Sequence, residues 1–210
     1  MQKDAASPRR GRGRRPAAEV RARVLDAAGT LLFDHGLRAV TFDRVAAASG
    51  SSKTTLYKWW PSPGALAAEA YFAASEHTLE FPDTGDVFTD VRSQLRAFVR
   101  LLTEQHAGRI IAELIGAAQL DAELATALSQ RYTRPRRELA TKRFESARER
   151  GQIKSGVDTE LLVDQLWGAC YNRLLMPDEP LTVEFADALV QNVLRGAATE
   201  EYRGFGRHSF

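Results

Sequence analysis

From residue 16 onward the apolar positions recur at three- and four-residue intervals, and no stretch sustains alternation at every second residue. Val20, Val24, Ala27, Ala28, Leu31 and Leu32 form the first apolar face. Pro16 suits the first helical position there, and Gly36 suits the residue just past the end. A short second helix is expected after Thr41, a good N-cap, with Phe42, Val45, Ala46 and Ser49 turned inward. Gly50 ends it, because glycine takes the left-handed conformation of a tight turn without a Cβ clash. Ser52 caps a third short helix, Lys53 to about Trp60, whose Leu56 and Trp60 point inward at i, i+4. Pro61 stops that helix. Ser62 caps a fourth, with Pro63 first, running to about Leu79.

The remainder follows the same period. Residues 86–106 are amphipathic through Val91, Leu95, Phe98, Val99 and Leu102, and residues 108–119 are mostly apolar. Residues 121–151 read as helix but contain Pro135, so this segment is either one kinked helix or two. Residues 158–175 and 182–194 close the chain, each behind an acceptable N-cap. The predicted fold class is therefore all-α, with about nine helices. The pattern divides the chain into an arm at 1–15, a small three-helix unit at 16–62, a larger helical body at 63–200 and a tail at 201–210.

Charge sharpens that division. The net charge is only +2, but residues 1–60 hold 12 Lys and Arg against 5 Asp and Glu, a balance of +7. The remaining 150 residues carry a balance of −5. A basic head on an acidic body is the electrostatic footprint of a nucleic-acid partner, although a solvated basic tail would give the same count. Residues 1–15 are rich in Arg, Gly and Ser without apolar periodicity and are expected to be disordered when free. The single cysteine, Cys170, forms no internal disulfide, which fits a reducing compartment. No secretory h-region and no apolar run of membrane-spanning length is visible, so a cytoplasmic location and no membrane partner are expected.

Two short helices joined by a glycine-containing turn make a helix-turn-helix, here residues 41–60 with Gly50 at the turn. In such a unit the first helix braces across the phosphates. The second enters the major groove with its N-terminal residues against base edges. Lys53, Thr54 and Thr55 occupy that first turn; Tyr57, Lys58 and Trp59 can donate to phosphates and fix register. Thr41 and Ser52, at the two helix starts, complete the predicted contacts from the helices. A helical hairpin inside a larger bundle would show the same pattern.

The stretch from Arg21 to Tyr71, RARVLDAAGTLLFDHGLRAVTFDRVAAASGSSKTTLYKWWPSPGALAAEAY, resembles the DNA-binding domain of the TetR family of bacterial regulators. The carrying elements are AA…LF…G, TF..VAAASG and SKTTLYKWWPSPGAL, without a gap over about fifty residues. RPRR, RERGQI, LWGACYNRLL and VLRG are similar to one subgroup of the family in the second half. Two positions depart from the family pattern. Ser51 stands where an apolar residue usually follows the turn glycine. Ser62-Pro63 replaces the usual Ser-Lys, which removes one phosphate-binding lysine.

The resemblance implies a homodimer on a double-stranded palindromic operator, released by an unknown small-molecule effector, with no cofactor. In the arm, Arg12, Arg14 and Arg15, with Arg9 and Arg10, would enter a minor groove beside the helix-turn-helix. This piece is also similar to the Arg-Gly-Arg-Pro core of AT-hook segments, with Arg15 inserted before Pro16. The body would enclose an effector cavity, with Phe98, Leu102, Leu114, Ile115, Gln119, Trp167 and Tyr171 as candidate lining. The last two long helices would form the subunit interface through Leu161, Gln165, Gly168, Ala169, Asn172, Phe185, Leu189, Val190 and Val193. Any of these body residues could equally be plain core.

A helical enzyme is the contrasting class. His35, His77, His106 and His208 show no Glu-x-x-His or His-Glu-x-x-His spacing, so no metal site is expected; phosphate-loop and dinucleotide fingerprints are also missing. Cys170 and Met176 read as packing residues. A third class, an architectural DNA-binding protein, leaves the long acidic body without a purpose.

Overall fold

The computed structural model describes residues 16–75, 80–104, 106–176 and 178–204. The arginine arm therefore lies outside the described residues, as does the expected end of the fourth helix at Leu79.

α1 (Ala17–His35) buries Val24, Ala28 and Leu32, a strip one residue wide at four-residue spacing. Val20, Ala27 and Leu31 flank it half-buried. Pro16 is the N-cap, one position earlier than expected. Gly36 ends α1 at φ 79°, and a Cβ there would press on the Glu113 carboxylate. A 3-10 turn at Leu37–Ala39 leads into α2 (Phe42–Ser49). Thr41 caps α2 by accepting from the Arg44 N–H at 3.3 Å. Gly50 leaves α2 at φ 65°, in the left-handed region.

α3 (Lys53–Trp59) starts from Ser52, whose Oγ accepts from the Thr55 N–H at 3.2 Å. Leu56 and Trp60 lock it down: both are buried, and a leucine removed completely from water contributes about 1.5–3 kcal/mol. α4 (Pro63–Ser75) follows Ser62, which accepts from the Ala65 N–H. It packs on α1 and runs on against α6 and α7, so one helix belongs to head and body alike.

The body consists of α5 (Val87–Glu104), α6 (Ala107–Ala118), α7 (Ala122–Leu128), α8 (Arg134–Glu149), α9 (Thr159–Val163), α10 (Ala169–Leu175), α11 (Val183–Ala197) and α12 (Glu200–Gly204). α7 and α8 are one helix interrupted by a π turn at Ser129–Thr133; α9 and α10 are joined the same way at Asp164–Gly168. This resolves the alternatives at Pro135. Proline offers no N–H and its ring collides with the carbonyl four residues back in a regular helix. The wider turn accommodates it, and the Arg134 N–H reaches the Ser129 carbonyl instead.

Counting each interrupted helix once gives ten helices among the described residues, one more than expected. The extra helix is α12, where a tail was expected. Its Tyr202 hydroxyl donates to Asp86 Oδ1 at 2.7 Å, at the start of α5. An isolated antiparallel bridge, Ile153 to Ala198, is the one extended pairing among the described residues. Buried side chains from α1 through α11 join into one connected apolar cluster. Arg96 of α5 forms a two-pronged pair with Asp187 of α11, with Nε to Oδ1 at 2.6 Å, and so fixes α11 along α5.

Candidate nucleic-acid interface and body cavity

The head presents its polar groups on one surface. Thr54, Lys58 and Tyr57 are exposed on α3, Tyr57 at 65%. Tyr57 is nonetheless positioned: its ring meets Phe42 edge-on with centroids 4.6 Å apart, so the hydroxyl is held outward by an aromatic contact with α2. Lys53 forms an ion pair with Asp43 of α2, and that hydrogen bond raises the Lys53 pKa. A phosphate must therefore draw this lysine away from an existing partner.

Thr41, Ser52 and Thr55 already have structural tasks. Thr41 and Ser52 cap helices, and the Ser52 and Thr55 hydroxyls lie 2.9 Å apart. Trp59 is half-buried, edge-on to Trp60 with centroids 5.6 Å apart. It is thus more withdrawn than its place in the predicted contact set implies. Ser51, at the family's usual apolar position, is half-buried and its Oγ meets no hydrogen-bond partner among the described residues.

Behind this surface lies a junction that sequence reasoning missed. Glu69 of α4, 14% exposed, accepts from Arg21 of α1 at 2.6 Å and from the Trp60 indole N–H at 3.0 Å. Arg131, in the first π turn, stands 3.8 Å away. The Arg21 guanidinium also lies over the Trp60 ring, 4.7 Å from its centroid. A second tie joins the Leu37 N–H to Glu113 Oε2 of α6 at 2.9 Å. The available signal for Glu69 was its isolation: one charge in the apolar run GALAAEAYFAA.

In the body, α5, α8 and the α9–α10 helix enclose a cavity of about 180 Å³. A cavity of about 150 Å³ holds a benzene ring, so this partly open space has room for at least one ring. Both π turns open onto it: Tyr132 and Thr133 come from the first, Asp164, Trp167 and Gly168 from the second. π turns recur at functional sites because the extra residue displaces the backbone locally. Phe98 meets Tyr171 edge-on at 5.5 Å, and the Tyr171 hydroxyl donates to the Tyr132 hydroxyl at 3.1 Å. Burial raises the pKa of both tyrosines, which keeps them neutral.

Of the candidate lining residues, Phe98, Trp167 and Tyr171 border this cavity. The other four do not. Leu102 and Leu114 are buried in core away from it, Ile115 is half-buried, and Gln119 is exposed at the end of α6 with its amide donating to the Ile115 carbonyl. The reason is that α6 turns its apolar face to its neighbours α4, α5 and α7, while the cavity opens where the two π turns approach each other. Phe81, Gln94, Tyr132, Arg136, Arg137 and Asp164 were missed. Pro135 inside a helical pattern was the available signal for the first π turn.

The residues of the expected interface stripe divide by burial within the protomer. Val190 is fully buried, in line with Ala186, Leu194 and Ala197 on the inner side of α11. Phe185, Leu189 and Val193 lie half-buried one residue out of phase with it, a rotation of about 100°. Phe185 is covered by Arg173, whose guanidinium sits 3.9 Å from its ring centroid. Leu161, Gln165 and Asn172 are exposed, Leu161 at 51%, and Ala169 is half-buried. Gly168 borders the cavity instead, and a Cβ there would meet open space within the protomer.

The Cys170 thiol is buried, and burial pushes its pKa up to about 12, which suppresses the thiolate a nucleophile needs. No helix among the described residues is long and apolar enough to cross a membrane.

Comparison with known proteins agrees with this geometry. Residues 24–70 match the family described as bacterial regulatory proteins, tetR family, and residues 81–193 match the tetracyclin repressor-like C-terminal domain. The HTH-type transcriptional regulator YdeS of Bacillus subtilis is 34% identical over 173 residues, covering 82% of this chain and 87% of its own. The crystal structure of the TetR family transcription regulator SCO0332 is 60% identical, with a TM-score of 0.78, covering 85% of this chain and 98% of that one. FadR from Bacillus subtilis in complex with stearoyl-CoA shares the fold at a TM-score of 0.64 and 14% identity, covering 83% and 98%. Head, body and relatives agree: the chain belongs to the TetR family of DNA-binding transcriptional regulators.

Proposed function

We propose that this chain is a homodimeric repressor that binds a palindromic operator through α3 and is released by a small molecule in the body cavity. It acts on DNA, and hence in the cytoplasm. Residues 16–62 serve as the DNA-binding unit and 63–200 as the effector and dimer body. The observation that carries the reading is the first π turn. Tyr132 forms the cavity wall, and Arg131, the residue before it, reaches the Glu69 junction that holds Arg21 and Trp60 of the head. A molecule that displaces Tyr132 also displaces the support of the head. That gives the two sites a physical connection, which an allosteric mechanism requires. A purely architectural DNA-binding protein has no use for such a cavity. The complex of the fold neighbour FadR with stearoyl-CoA supports a small-molecule role for this architecture.

The apolar side chains left exposed on the α9–α10 helix, Leu161 and Leu175, support a dimer built on that helix with α11. Two α3 helices would then lie in successive major grooves, about 34–36 Å apart or somewhat more. The arginine arm would add minor-groove contacts. Deleting residues 1–15 is therefore expected to flatten the salt dependence by about 0.9 in log–log slope for each phosphate that the arm neutralises.

Selection of bound duplexes from a random pool tests the operator. An inverted repeat is expected, whereas a single asymmetric site bound by a monomer in light scattering would overturn the dimer. A release screen on that operator, with compounds of every charge and of varied size, tests the effector. Compounds that release the protein are expected to lose their effect in Trp167→Ala. Release unaffected by changes to the cavity wall would remove the cavity from the mechanism.

A further inference from the structure

The cavity's chemistry points to the charge of what it takes, provided that it is the effector site proposed above. Its ionisable lining is Arg136, Arg137 and Asp164, with neutral tyrosines beside them. Arg137 and Asp164 neutralise each other: the guanidinium donates to both carboxylate oxygens, with Nη2 to Oδ2 at 3.0 Å, and also to the Glu160 carbonyl. Arg137 lowers the Asp164 pKa, so the pair stays ionised on both sides.

Arg136 is different. Among the described residues it pairs with no carboxylate, and its guanidinium rests over the Tyr132 ring, 4.7 Å from the centroid. The Glu160 carboxylate also stands 3.7 Å from Arg137 and not from Arg136, so Arg136 is the cation of the wall that no carboxylate engages among the described residues. Arg136 also borders the adjoining cleft that holds Glu69 and Arg131, but the Glu69 carboxylate is already engaged by Arg21. A second unmet group lies on α5. Gln94, 5% exposed, borders the cavity, and its Oε1 has no hydrogen-bond partner among the described residues. A buried acceptor without a donor is costly, and a ligand hydroxyl or amide removes that cost.

We propose that the cavity takes a small aromatic carboxylate. Its acid group meets Arg136, its ring lies against Phe98, Trp167 and Tyr171, and a donor at its far end satisfies Gln94. The space of about 180 Å³ has room for one ring. The planar guanidinium fork matches a carboxylate in two-pronged fashion, and in this partly buried wall the charge-assisted bond is stronger than in water.

Calorimetric titration of the full chain tests this with three probes that share a ring and a hydroxyl: 4-hydroxyphenylacetate, its neutral amide, and tyramine. The acid is expected to bind at least about tenfold more tightly than the amide, and tyramine more weakly still. In Arg136→Gln, which alters a half-buried side chain, the acid is expected to lose its advantage while amide binding persists; unchanged thermal melting confirms that the variant folds. An amide or amine that binds as tightly as the acid overturns the anionic class and leaves the cavity standing as the effector site. Binding by none of the three overturns the class for this cavity. The release screen, which takes compounds of any charge and size, then decides separately whether the effector reading fails as well.

Discussion

Head and body are built from the same material, short amphipathic helices, but they place their functional groups in opposite directions. In the head, α2 and α3 bury Phe42, Val45, Leu56 and Trp60 and turn Lys53, Thr54, Tyr57 and Lys58 outward. In the body, Phe98, Tyr132, Trp167 and Tyr171 turn inward around a space that other side chains do not fill. Polar function on a surface shows in the sequence as the positions left over once the core has been assigned. Aromatic function around a cavity looks identical to core until the backbone geometry is known.

The contrast breaks most sharply if the exposed groups prove dispensable. Tyr57→Phe removes the outward hydroxyl and keeps the ring packed edge-on against Phe42. Operator affinity is expected to fall about 10- to 150-fold, the loss of one hydrogen bond to a charged phosphate at about 1.5–3 kcal/mol. Thermal melting and binding to cavity ligands should stay unchanged. Fluorescence anisotropy with labelled operator measures the first; an unaltered dissociation constant would move recognition off this face of α3.

Glu69→Gln probes the join between the two regions. It removes the charge that pairs with Arg21 and Arg131 while keeping an acceptor for Trp60. Charge-assisted hydrogen bonds contribute about 1.5–3 kcal/mol, and with the site largely shielded by protein a loss at the lower end of that range is expected in denaturant unfolding. The more telling readout is the ratio of operator affinities without and with effector, which should fall toward one. An undiminished ratio would route communication elsewhere, with the Leu37–Glu113 tie as the next candidate.

The smallest expected effect concerns Lys53. Asp43→Asn releases it from its exposed ion pair, so DNA binding should strengthen by a few-fold at low salt. The steeper salt dependence that accompanies a freed cation is the check. Weaker binding would mean that Asp43 is needed to aim the lysine.

What the sequence revealed follows the same division. The helix starts at Thr41, Ser52, Asp158 and Thr182 were legible because each N-cap rests on one side chain and its nearest backbone. The left-handed turn at Gly50 was legible for the same local reason. The burial of Val190 was not legible, because one residue's rotation on α11 separates core from surface and both stripes there are apolar. The π turn around Trp167 had no proline to mark it. Arg136 and Gln94 gained meaning only when separate helices were seen to meet at one cavity. The Glu69 junction likewise joins residues 48 and 62 positions apart, beyond the reach of any local pattern.

Effector-driven release requires coupling between the cavity and the DNA surface, and coupling is reciprocal. The most direct measurement is the affinity of one effector, taken from the release screen, for the free protein and for the protein saturated with its selected operator. Operator is expected to weaken effector binding by the same factor by which effector weakens operator binding, about 5- to 150-fold for couplings of about 1–3 kcal/mol. Equal effector affinities in the two titrations would mean that the cavity and α3 act independently, and effector-driven release would have to be abandoned.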